Sequence, residues 1–263
     1  MTTRVDLSVV IPAYNSATFI GETVHRVIAH CHALGLKAEV LVCDDGSTDG
    51  TVSAVPRLPG VGVLRSPANR GKGAAVRTGM LAASGEIRAF TDADLPYGVE
   101  PLESARLYIS ERRFHSVIGD RTLPGSTYER SGLIRHVVSG AASLTFRTLV
   151  TGGIYDTQCG FKAFRGDVAA EVFRLSRVNR FAFDVEIIYL LLKHRLDIKR
   201  VPVRLEANAP SSVSVGRDTV RAASDILRMR LNWARGRYSS PRLRALLERD
   251  LQLDSPAARV EMG

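Results

Sequence analysis

Two carboxylates separated by one residue are the strongest chemical feature of this sequence. Asp92 and Asp94 follow Ile87–Phe90, a short apolar run that predicts a buried strand. Mg²⁺ is commonly held by one or two carboxylates together with substrate phosphates, and a divalent cation neutralises the charge of a departing diphosphate. We therefore predict that Asp92 and Asp94 bind Mg²⁺ or Mn²⁺, against the alternative of a solvated turn.

Polar segments also follow the first two predicted strands, Leu7–Ile11 and Ala38–Cys43. The first segment is Pro12, Ala13, Tyr14 and Asn15, and the second begins with Asp44 and Asp45. A carboxylate accepts hydrogen bonds from a base or a ribose, and an aromatic ring stacks on flat partners. These segments predict nucleotide contacts, although an Asx-turn with a helix N-cap is a second explanation of the Asp-Gly-Ser-Thr-Asp run.

Gly71, Lys72 and Gly73 precede a predicted helix that runs to Ala83. A helix N-terminus offers unpaired N–H groups and the positive end of a dipole, and a neighbouring lysine completes a cradle for an anion. The spacing is not that of a P-loop, so this segment predicts phosphate binding only in combination with the others.

The elements that must position these groups alternate between strand and helix. Short apolar runs are separated by helical periodicity over residues 16–34 and 73–83. This alternation predicts a parallel sheet with helices on both faces, whose ligands bind beyond the carboxyl ends of the strands. Further helices are predicted over 101–113, 133–150, 184–192 and 217–238, and further strands over 116–119 and 198–205.

Length and composition narrow the class of protein. The 263 residues, 45% of them hydrophobic, fit one large α/β domain with at most a short appendage. The net charge of +9 favours phosphate-bearing partners (a nucleotide, nucleic acid or anionic lipid) without choosing among them. Cys31, Cys43 and Cys159 lack disulfide or metal-site spacing, which favours a reducing compartment. No signal peptide or apolar run of ~20 residues is visible, so we expect membrane contact to be peripheral or through a partner.

The polar segments together resemble glycosyltransferase family 2. They are Val9–Asn15, Asp44–Asp49, Asn69–Gly73 and Thr91–Asp94, in this order and spacing. Asp156–Lys162 and Ser211–Asp218 are similar to segments of its polyprenyl-phosphate branch, closest to the dolichyl-phosphate β-glucosyltransferases. The resemblance implies the GT-A fold, a Rossmann-like, mostly parallel α/β sheet with helices on both faces. It also implies inverting, metal-dependent transfer of a hexose or N-acetylhexosamine from a nucleotide-sugar, with UDP favoured over GDP, to a polyprenyl or dolichyl monophosphate.

The resemblance also implies roles for single residues. The implied nucleotide-sugar contacts are Pro12, Ala13, Tyr14, Asn15, Asp44, Asp45, Gly71, Lys72, Asp92 and Ala93, and the implied metal ligands are Asp92 and Asp94. Pro96 stands where dolichyl-phosphate mannose synthases usually have glutamine. A proline side chain cannot bind a metal, so this position argues against a plain mannose synthase and leaves no third ligand there.

Arg121 and Arg135 are the implied contacts of the acceptor phosphate, since guanidinium groups bind phosphate oxygens bidentately; a surface salt bridge is the alternative for either. A phosphate acceptor is already an anion near neutral pH and needs no strong base. A hydroxyl acceptor needs one, for which Asp120 is the candidate, with a helix-cap or strand-end role as the alternative. The predicted catalytic residues are thus Lys72, Asp94, Asp120 and Arg121.

The chain is predicted to divide into a catalytic domain at 1–208, a linker and basic helix at 209–240, and a loosely held polar tail at 241–263. In that helix the basic face consists of Arg217, Arg221, Arg228 and Arg235, and Trp233 lies on the apolar side. An interfacial helix on anionic lipid and a core-packed helix with a solvated basic face both fit this pattern. We expect a cytoplasmic protein at the inner face of the plasma membrane, with a homodimer or a membrane-protein partner left open.

Two other functions also fit the sequence. The first is a family 2 enzyme that glycosylates a hydroxyl group of a soluble sugar or a cell-wall glycan. The second is a nucleic-acid or anionic-surface binding protein that uses the net positive charge. Helix-turn-helix, zinc-finger and RNP-like signatures are absent from the sequence, so no nucleic-acid partner is expected.

Overall fold

The computed structural model of the chain describes residues 4–126, 153–154, 156–180, 182–206 and 215–253. Within these ranges seven strands form one sheet in the order β3-β2-β1-β4-β6-β5-β7. The strands are β1 (Leu7–Ala13), β2 (Ala38–Asp44), β3 (Val61–Arg65), β4 (Ile87–Phe90), β5 (Ser116–Asp120), β6 (Lys162–Arg165) and β7 (Ile198–Pro202).

Helices connect most of these strands, as the alternation predicted. In the described ranges they are α1 (Ile20–Ala33), α2 (Thr51–Ala54), α3 (Lys72–Ala82), α4 (Pro101–Arg106), α5 (Gly166–Leu175), α6 (Phe183–Lys193), α7 (Val215–Ala234) and α8 (Pro241–Leu253). A π-helical turn at Leu107–Glu111 continues α4, so the helix expected over 101–113 changes its hydrogen-bonding pattern partway along. The helix expected over 133–150 lies outside the described residues.

The pairing of the strands brings their polar ends to one edge. β1 is parallel to both of its neighbours: Leu7–Ala13 pairs with β2 over its whole length, and Leu7–Val10 pairs with β4. β6 runs antiparallel between β4 and β5, and β5 is parallel to β7. The sheet is therefore mostly parallel, as predicted. The carboxyl ends of β1, β2, β4 and β5 meet at one edge, hereafter the carboxyl edge.

Hydrophobic side chains fill both faces of the sheet because successive residues of a strand point to opposite sides. Val9 and Ile11 of β1 pack in a core cluster with residues of α1 and α4, whereas Val10 packs in a second cluster with residues of α3, α5 and α6. All three side chains are fully buried. Helices thus cover both faces, as predicted, and hold the strand ends in fixed positions.

The expectation of a loosely held tail is wrong for residues 241–253, which form α8. Leu243 is fully buried in the core cluster that α5 and α6 also line. Ser240 Oγ donates a hydrogen bond to Glu171 Oε1 at 2.5 Å, and Asp250 Oδ2 lies 3.1 Å from His115 Nε2. Leucines at positions 243, 246 and 247 share one helical face, and their burial orders this otherwise charged segment.

Helix α7 is packed on the core along one side. Ile226 and Met229 are buried, whereas Leu227 and Leu231 are 61% and 43% exposed. The buried pair confirms core packing for this side of the helix, while lipid contact by the exposed side stays a prediction. The side chains of Arg217 and Arg221 lie outside the described residues. In the described part of the chain, no helix combines the length and the apolar character needed to cross a membrane.

Replacing Leu243 by alanine is expected to lower the free energy of unfolding by about 2–4 kcal/mol, because the change leaves a cavity in the core. Urea denaturation measures this difference. Leu251→Ala in the same helix is the matched control, since Leu251 is 71% exposed, and a change within about 0.5 kcal/mol is expected. Equally small effects for both variants would show that α8 is not docked on the core.

Candidate active site

The loops that follow β1 and β2 are joined to the start of α3 by the side chain of Asp45. The backbone N–H of Asp45 donates to Ala13 O at 2.8 Å. Its buried carboxylate accepts hydrogen bonds from the backbone N–H groups of Arg70 at 2.9 Å and Gly71 at 2.7 Å. In the structure Asp45 holds the predicted phosphate loop at the carboxyl edge, and its contact with the nucleotide stays a prediction.

Asn15 connects the same two loops. It has a φ of 52°, in the left-handed region that asparagine tolerates. Its backbone N–H donates to Ser47 Oγ at 2.9 Å, and its Oδ1 accepts from the Thr48 N–H at 2.9 Å. Pro12 and Ala13 are buried at the end of β1, whereas the Tyr14 ring is 48% exposed. The ring thus lies at the surface beside these loops, where a flat base can stack on it.

Asp44 has one carboxylate oxygen in use and one that is unsatisfied. The residue is 1% exposed, and Oδ1 accepts a hydrogen bond from the Ser47 N–H at 3.1 Å. Oδ2 is buried without a hydrogen bond among the described residues, and Arg65 Nε lies 3.6 Å away. A buried acceptor without a donor costs stability, and an N–H or O–H group of a ligand placed at Oδ2 would remove that cost.

Lys72 and the two acidic residues after β4 lie together at the carboxyl edge. Lys72 begins α3, and its ammonium contacts Asp92 Oδ1. Burial lowers the pKa of Lys72, but the charges of Asp92, Asp184 and Asp94 together raise it above its usual value. Burial and the nearby charge of Asp92 raise the pKa of Asp94. The site therefore holds two carboxylates, of which Asp92 contacts the lysine ammonium and Asp94 has its charge disfavoured.

These two carboxylates fit a divalent cation that takes its other ligands from a bound diphosphate. Ala93 between them is buried, and its carbonyl accepts a hydrogen bond from Thr23 Oγ1 at 2.7 Å, which fixes the turn. Leu95 follows at a φ of 45°, a strained conformation for a leucine. Within the described ranges, no group of three or more histidine, cysteine or acidic side chains is placed to hold a metal. Substrate phosphates would have to complete the coordination, as is usual for Mg²⁺.

Asp120 ends β5 at the same edge, and Arg121 follows it. Asp156 holds the Arg121 guanidinium through two hydrogen bonds, at 2.8 Å to Nε and 2.7 Å to Nη2, and also accepts from the Arg121 backbone N–H. The guanidinium outweighs the effect of burial and lowers the pKa of Asp156. Arg121 is thus fixed as a cation beside the crevice. Arg135 lies outside the described residues.

Asp120 has the strand-end role rather than the geometry of a base. It is fully buried, and its Oδ1 accepts hydrogen bonds from the Thr122 N–H at 2.8 Å and Oγ1 at 2.6 Å. Its Oδ2 accepts from Arg200 Nε at 2.6 Å. Both carboxylate oxygens are occupied, so the geometry does not support the predicted role of Asp120 as a general base.

Sequence reasoning assigned no role to three residues that line this site from behind. A Cβ on Gly160 would collide with Asp92 Oδ2, so the backbone at this glycine packs directly on the predicted metal ligand. Lys162 is fully buried and donates to Asp184 Oδ1 at 2.5 Å. Single charged residues in apolar segments, as Lys162 and Asp184 are, indicate buried ion pairs, but the sequence does not show that these two residues are partners.

The chain matches one protein-family model and several curated proteins that share one name. The family model "Glycosyl transferase family 2" matches residues 8–173. Dolichyl-phosphate beta-glucosyltransferase of Dictyostelium discoideum is 29% identical over 246 residues, which span 88% of this chain and 75% of that protein. The enzyme of the same name from Saccharomyces cerevisiae is 28% identical over 256 residues, covering 88% and 76%. That from Drosophila melanogaster is 32% identical over 216 residues, covering 76% and 66%.

Solved structures share the fold at lower identity. Glucosyl-3-phosphoglycerate synthase from Mycobacterium tuberculosis in complex with UDP superimposes with a TM-score of 0.62 at 19% identity, covering 86% of this chain and 80% of that one. Mannosyl-3-phosphoglycerate synthase from Rubrobacter xylanophilus gives a TM-score of 0.60 at 16% identity, covering 90% and 77%. Both are GT-A glycosyltransferases, so this α/β chain has the GT-A fold.

Proposed function

Because the chain belongs to glycosyl transferase family 2, we propose that it is an inverting hexosyltransferase that moves glucose from UDP-glucose to a polyprenyl or dolichyl monophosphate. The grouping of Lys72, Asp92 and Asp94 at the carboxyl edge carries this proposal. The choice of glucose and of a lipid phosphate is supported by the names of relatives that match 88% of this chain.

Different residues of the site bind different parts of the nucleotide-sugar donor. Tyr14 and Asp44 bind the uridine, the ring by stacking and the unsatisfied Asp44 Oδ2 by accepting an N–H or O–H. Asp92 and Asp94 would hold the divalent cation, which when bound neutralises charge on the leaving diphosphate. Lys72 lies beside Asp92 at the N-terminus of α3, where its ammonium and the helix dipole stabilise the same diphosphate.

The transfer itself is a single displacement. An oxygen of the acceptor phosphate forms a bond to the anomeric carbon while the bond from that carbon to the diphosphate oxygen breaks, which inverts the configuration and releases UDP. Arg121 orients the acceptor phosphate with a guanidinium that Asp156 holds in place. A phosphate monoester is already ionised near neutral pH, so the chain need not supply a base.

This last point favours a phosphate acceptor over a hydroxyl acceptor. Asp120 is the base that a hydroxyl would need, and both of its oxygens are occupied by Thr122 and Arg200. We expect Asp120→Asn to lower the free energy of unfolding by about 1–3 kcal/mol and to leave kcat for lipid phosphate within about threefold of wild type. Thermal melts and transfer assays measure the two effects; a 10²-fold or larger loss of kcat in a fully folded variant would restore Asp120 as a base.

The place of action follows from the acceptor. A polyprenyl phosphate lies in a membrane, and the nucleotide-sugar is a cytoplasmic metabolite, so the enzyme acts at the cytoplasmic face of that membrane. Exposed Leu227 and Leu231 with Arg228 on α7 provide an apolar and basic contact for an anionic surface. The division into a catalytic domain at 1–208 and a membrane-facing segment at 209–240 remains part of this proposal.

A radiolabel transfer assay tests the proposal. The protein is incubated with Mn²⁺ or Mg²⁺ and labelled UDP-glucose, UDP-N-acetylglucosamine or GDP-mannose, with and without a polyprenyl phosphate. Glucose label entering the organic phase only when lipid phosphate is present is the expected result. Label transferred instead to a soluble glycan would move the acceptor to a hydroxyl group, and transfer from GDP-mannose alone would overturn the choice of donor.

Asp44→Asn is expected to raise KM for UDP-glucose about tenfold, because an amide in place of the unsatisfied Oδ2 loses charge-assisted acceptance from the uracil N–H. The value of kcat should change far less, since the base is remote from the anomeric carbon. Steady-state kinetics separate the two constants. A fall in kcat at unchanged KM would remove Asp44 from the nucleoside site.

A further inference from the structure

A line of alternating charges lies behind the donor site. The Lys72 ammonium contacts Asp92, and its pKa responds to the charges of both Asp94 and Asp184. Asp184 in turn accepts a hydrogen bond from the buried Lys162. Three carboxylates and two ammonium groups therefore share one region that contains both predicted metal ligands.

Packing fixes Asp184 close to Lys72. Asp184 is the second residue of α6, and the first, Phe183, meets the first turn of α3: a Cβ on Gly73 would lie 2.6 Å from Phe183 Cβ. The Ala74 N–H donates to Asn179 O at 3.0 Å, which joins the same turn of α3 to the segment before α6. The two helix starts thus pack against each other, which places Lys72, the first residue of α3, near Asp184, the second residue of α6.

Burial and hydrogen bonds hold the Lys162 side chain against Asp184. Its side chain is fully buried in β6, and its ammonium donates to Cys159 O at 2.9 Å as well as to Asp184. The ammonium also lies 5.4 Å from the centroid of the Phe90 ring. Asp184 is 4% exposed, so Lys162 compensates a carboxylate that has lost its water. The Lys162–Asp184 pair is accordingly a rigid charge pair, whereas Lys72 is 22% exposed on its side chain and can change partner.

We propose that Asp184, held by Lys162, is a positioning residue that serves as the second counter-charge of Lys72 and allows its ammonium to release Asp92 when the donor binds. This inference rests on the proposed function, because Asp92 must be released to hold a cation. A divalent cation and a doubly charged diphosphate that arrive together leave the net charge of the region unchanged. Lys72 then moves from Asp92 toward the diphosphate and remains compensated by Asp184 throughout.

The test is binding rather than turnover, with Mn²⁺ and UDP as the probes in isothermal titration calorimetry. Asp184→Asn removes the second counter-charge of Lys72, so we expect the existing Asp92–Lys72 contact to tighten. Mn²⁺ affinity is expected to fall roughly tenfold, while UDP affinity without metal should hold or rise. A variant that merely loosens the fold would weaken both ligands together and lower Tm.

Asp184→Asn leaves the buried ammonium of Lys162 without its carboxylate partner. The double variant Lys162→Met/Asp184→Asn is therefore measured as well. It removes one charge of each sign, so the distant field is unchanged, but Lys72 still loses its second counter-charge. We expect it to fold with a Tm near wild type and to keep the loss of Mn²⁺ affinity. Wild-type Mn²⁺ affinity in this double variant would overturn the proposal.

Two controls separate the possible failures. Glu171→Gln changes another buried carboxylate that is paired with Arg174 and lies away from the donor site; Mn²⁺ and UDP affinities should be unchanged in it. In a Lys72→Met background, adding Asp184→Asn should no longer weaken Mn²⁺ binding, because the ammonium that links the two positions is gone. Failure of the wild-type protein to bind Mn²⁺ with UDP would refute the proposed function itself, independently of Asp184.

Discussion

Asp94→Asn is expected to lower kcat for sugar transfer by about 10²–10³-fold, because the amide no longer provides the negative charge that holds a divalent cation against the diphosphate. The stability of the ligand-free protein should stay the same or increase. Burial and Asp92 raise the pKa of Asp94, which means that the folded protein disfavours its charge at neutral pH. We therefore expect the ligand-free variant to melt at or above the wild-type temperature.

The pairing of lost activity with kept or gained stability identifies a residue that serves the ligand rather than the fold. Transfer assays over a range of Mn²⁺ concentration and thermal melts without ligand measure the two quantities. Glu111→Gln is the matched control, since Glu111 is exposed and its ion pair with Arg106 lies on the surface. Full activity in Asp94→Asn, or a lowered melting temperature with partial activity, would contradict the assignment.

Lys162→Met is expected to lower the free energy of unfolding by about 3–5 kcal/mol, because it leaves the buried Asp184 carboxylate without its cation. The cost should depend on pH. Burial raises the pKa of Asp184, and in the variant Lys162 no longer opposes this rise. A carboxyl group whose folded pKa is raised favours folding when protonated, so stability falls as pH rises through that raised pKa. Urea denaturation of the variant between about pH 4 and pH 8 measures the slope.

The partner variant Lys162→Met/Asp184→Asn supplies the comparison. It has no buried charge at these positions, so its stability should return close to wild type and lose the extra pH dependence. A cost for Lys162→Met that is equally large at every pH, or that persists in the double variant, would show that the lysine acts through packing alone. Such a result would also weaken the counter-charge proposed for Lys72.

The elements that could be predicted from sequence are those whose signals are local. Apolar runs of four to seven residues followed by turn residues located β1, β2 and β4, and the carboxyl ends of parallel strands must share an edge. The expectation that Tyr14, Asp44 and Asp92 share one edge therefore followed from their places after parallel strands. Helix α5 was not predicted and strand β6 was not delimited, because the four residues of β6 carry a charge at each end and α5 follows without a loop.

The parts that could not be predicted depend on partners far apart in the chain. Asp156 holds Arg121 across 35 residues, and Lys162 meets Asp184 across 22. The hydrophobic periodicity of the segments that contain these residues does not predict either pair. Helix α8 is a different case, because its leucines at positions 243, 246 and 247 have helical spacing. The many charged residues around them led to the prediction of a loosely held tail.

Asp45 shows that a residue of a predicted ligand-binding segment can have a structural role through a long-range contact. Its carboxylate accepts the N–H groups of Arg70 and Gly71 and so shapes the loop that presents Lys72. Asp44, one residue earlier, keeps a buried oxygen without a hydrogen-bond donor in the described part of the chain. We therefore propose separate tasks for these adjacent aspartates, with Asp44 as the ligand contact, a distinction that the sequence alone does not make.

The position of β6 in the sheet has a consequence for how the chain matures during synthesis. β6 lies between β4 and β5, yet it leaves the ribosome after both of them. A nascent chain that ends before Lys162 already contains Tyr14, Asp44, Lys72 and Asp92, but its β4 and β5 have open edges that only the later strand can fill. We therefore expect that the segment with the donor motifs does not fold on its own and depends on chaperones until residues 162–193 emerge and complete the sheet and its charge pair.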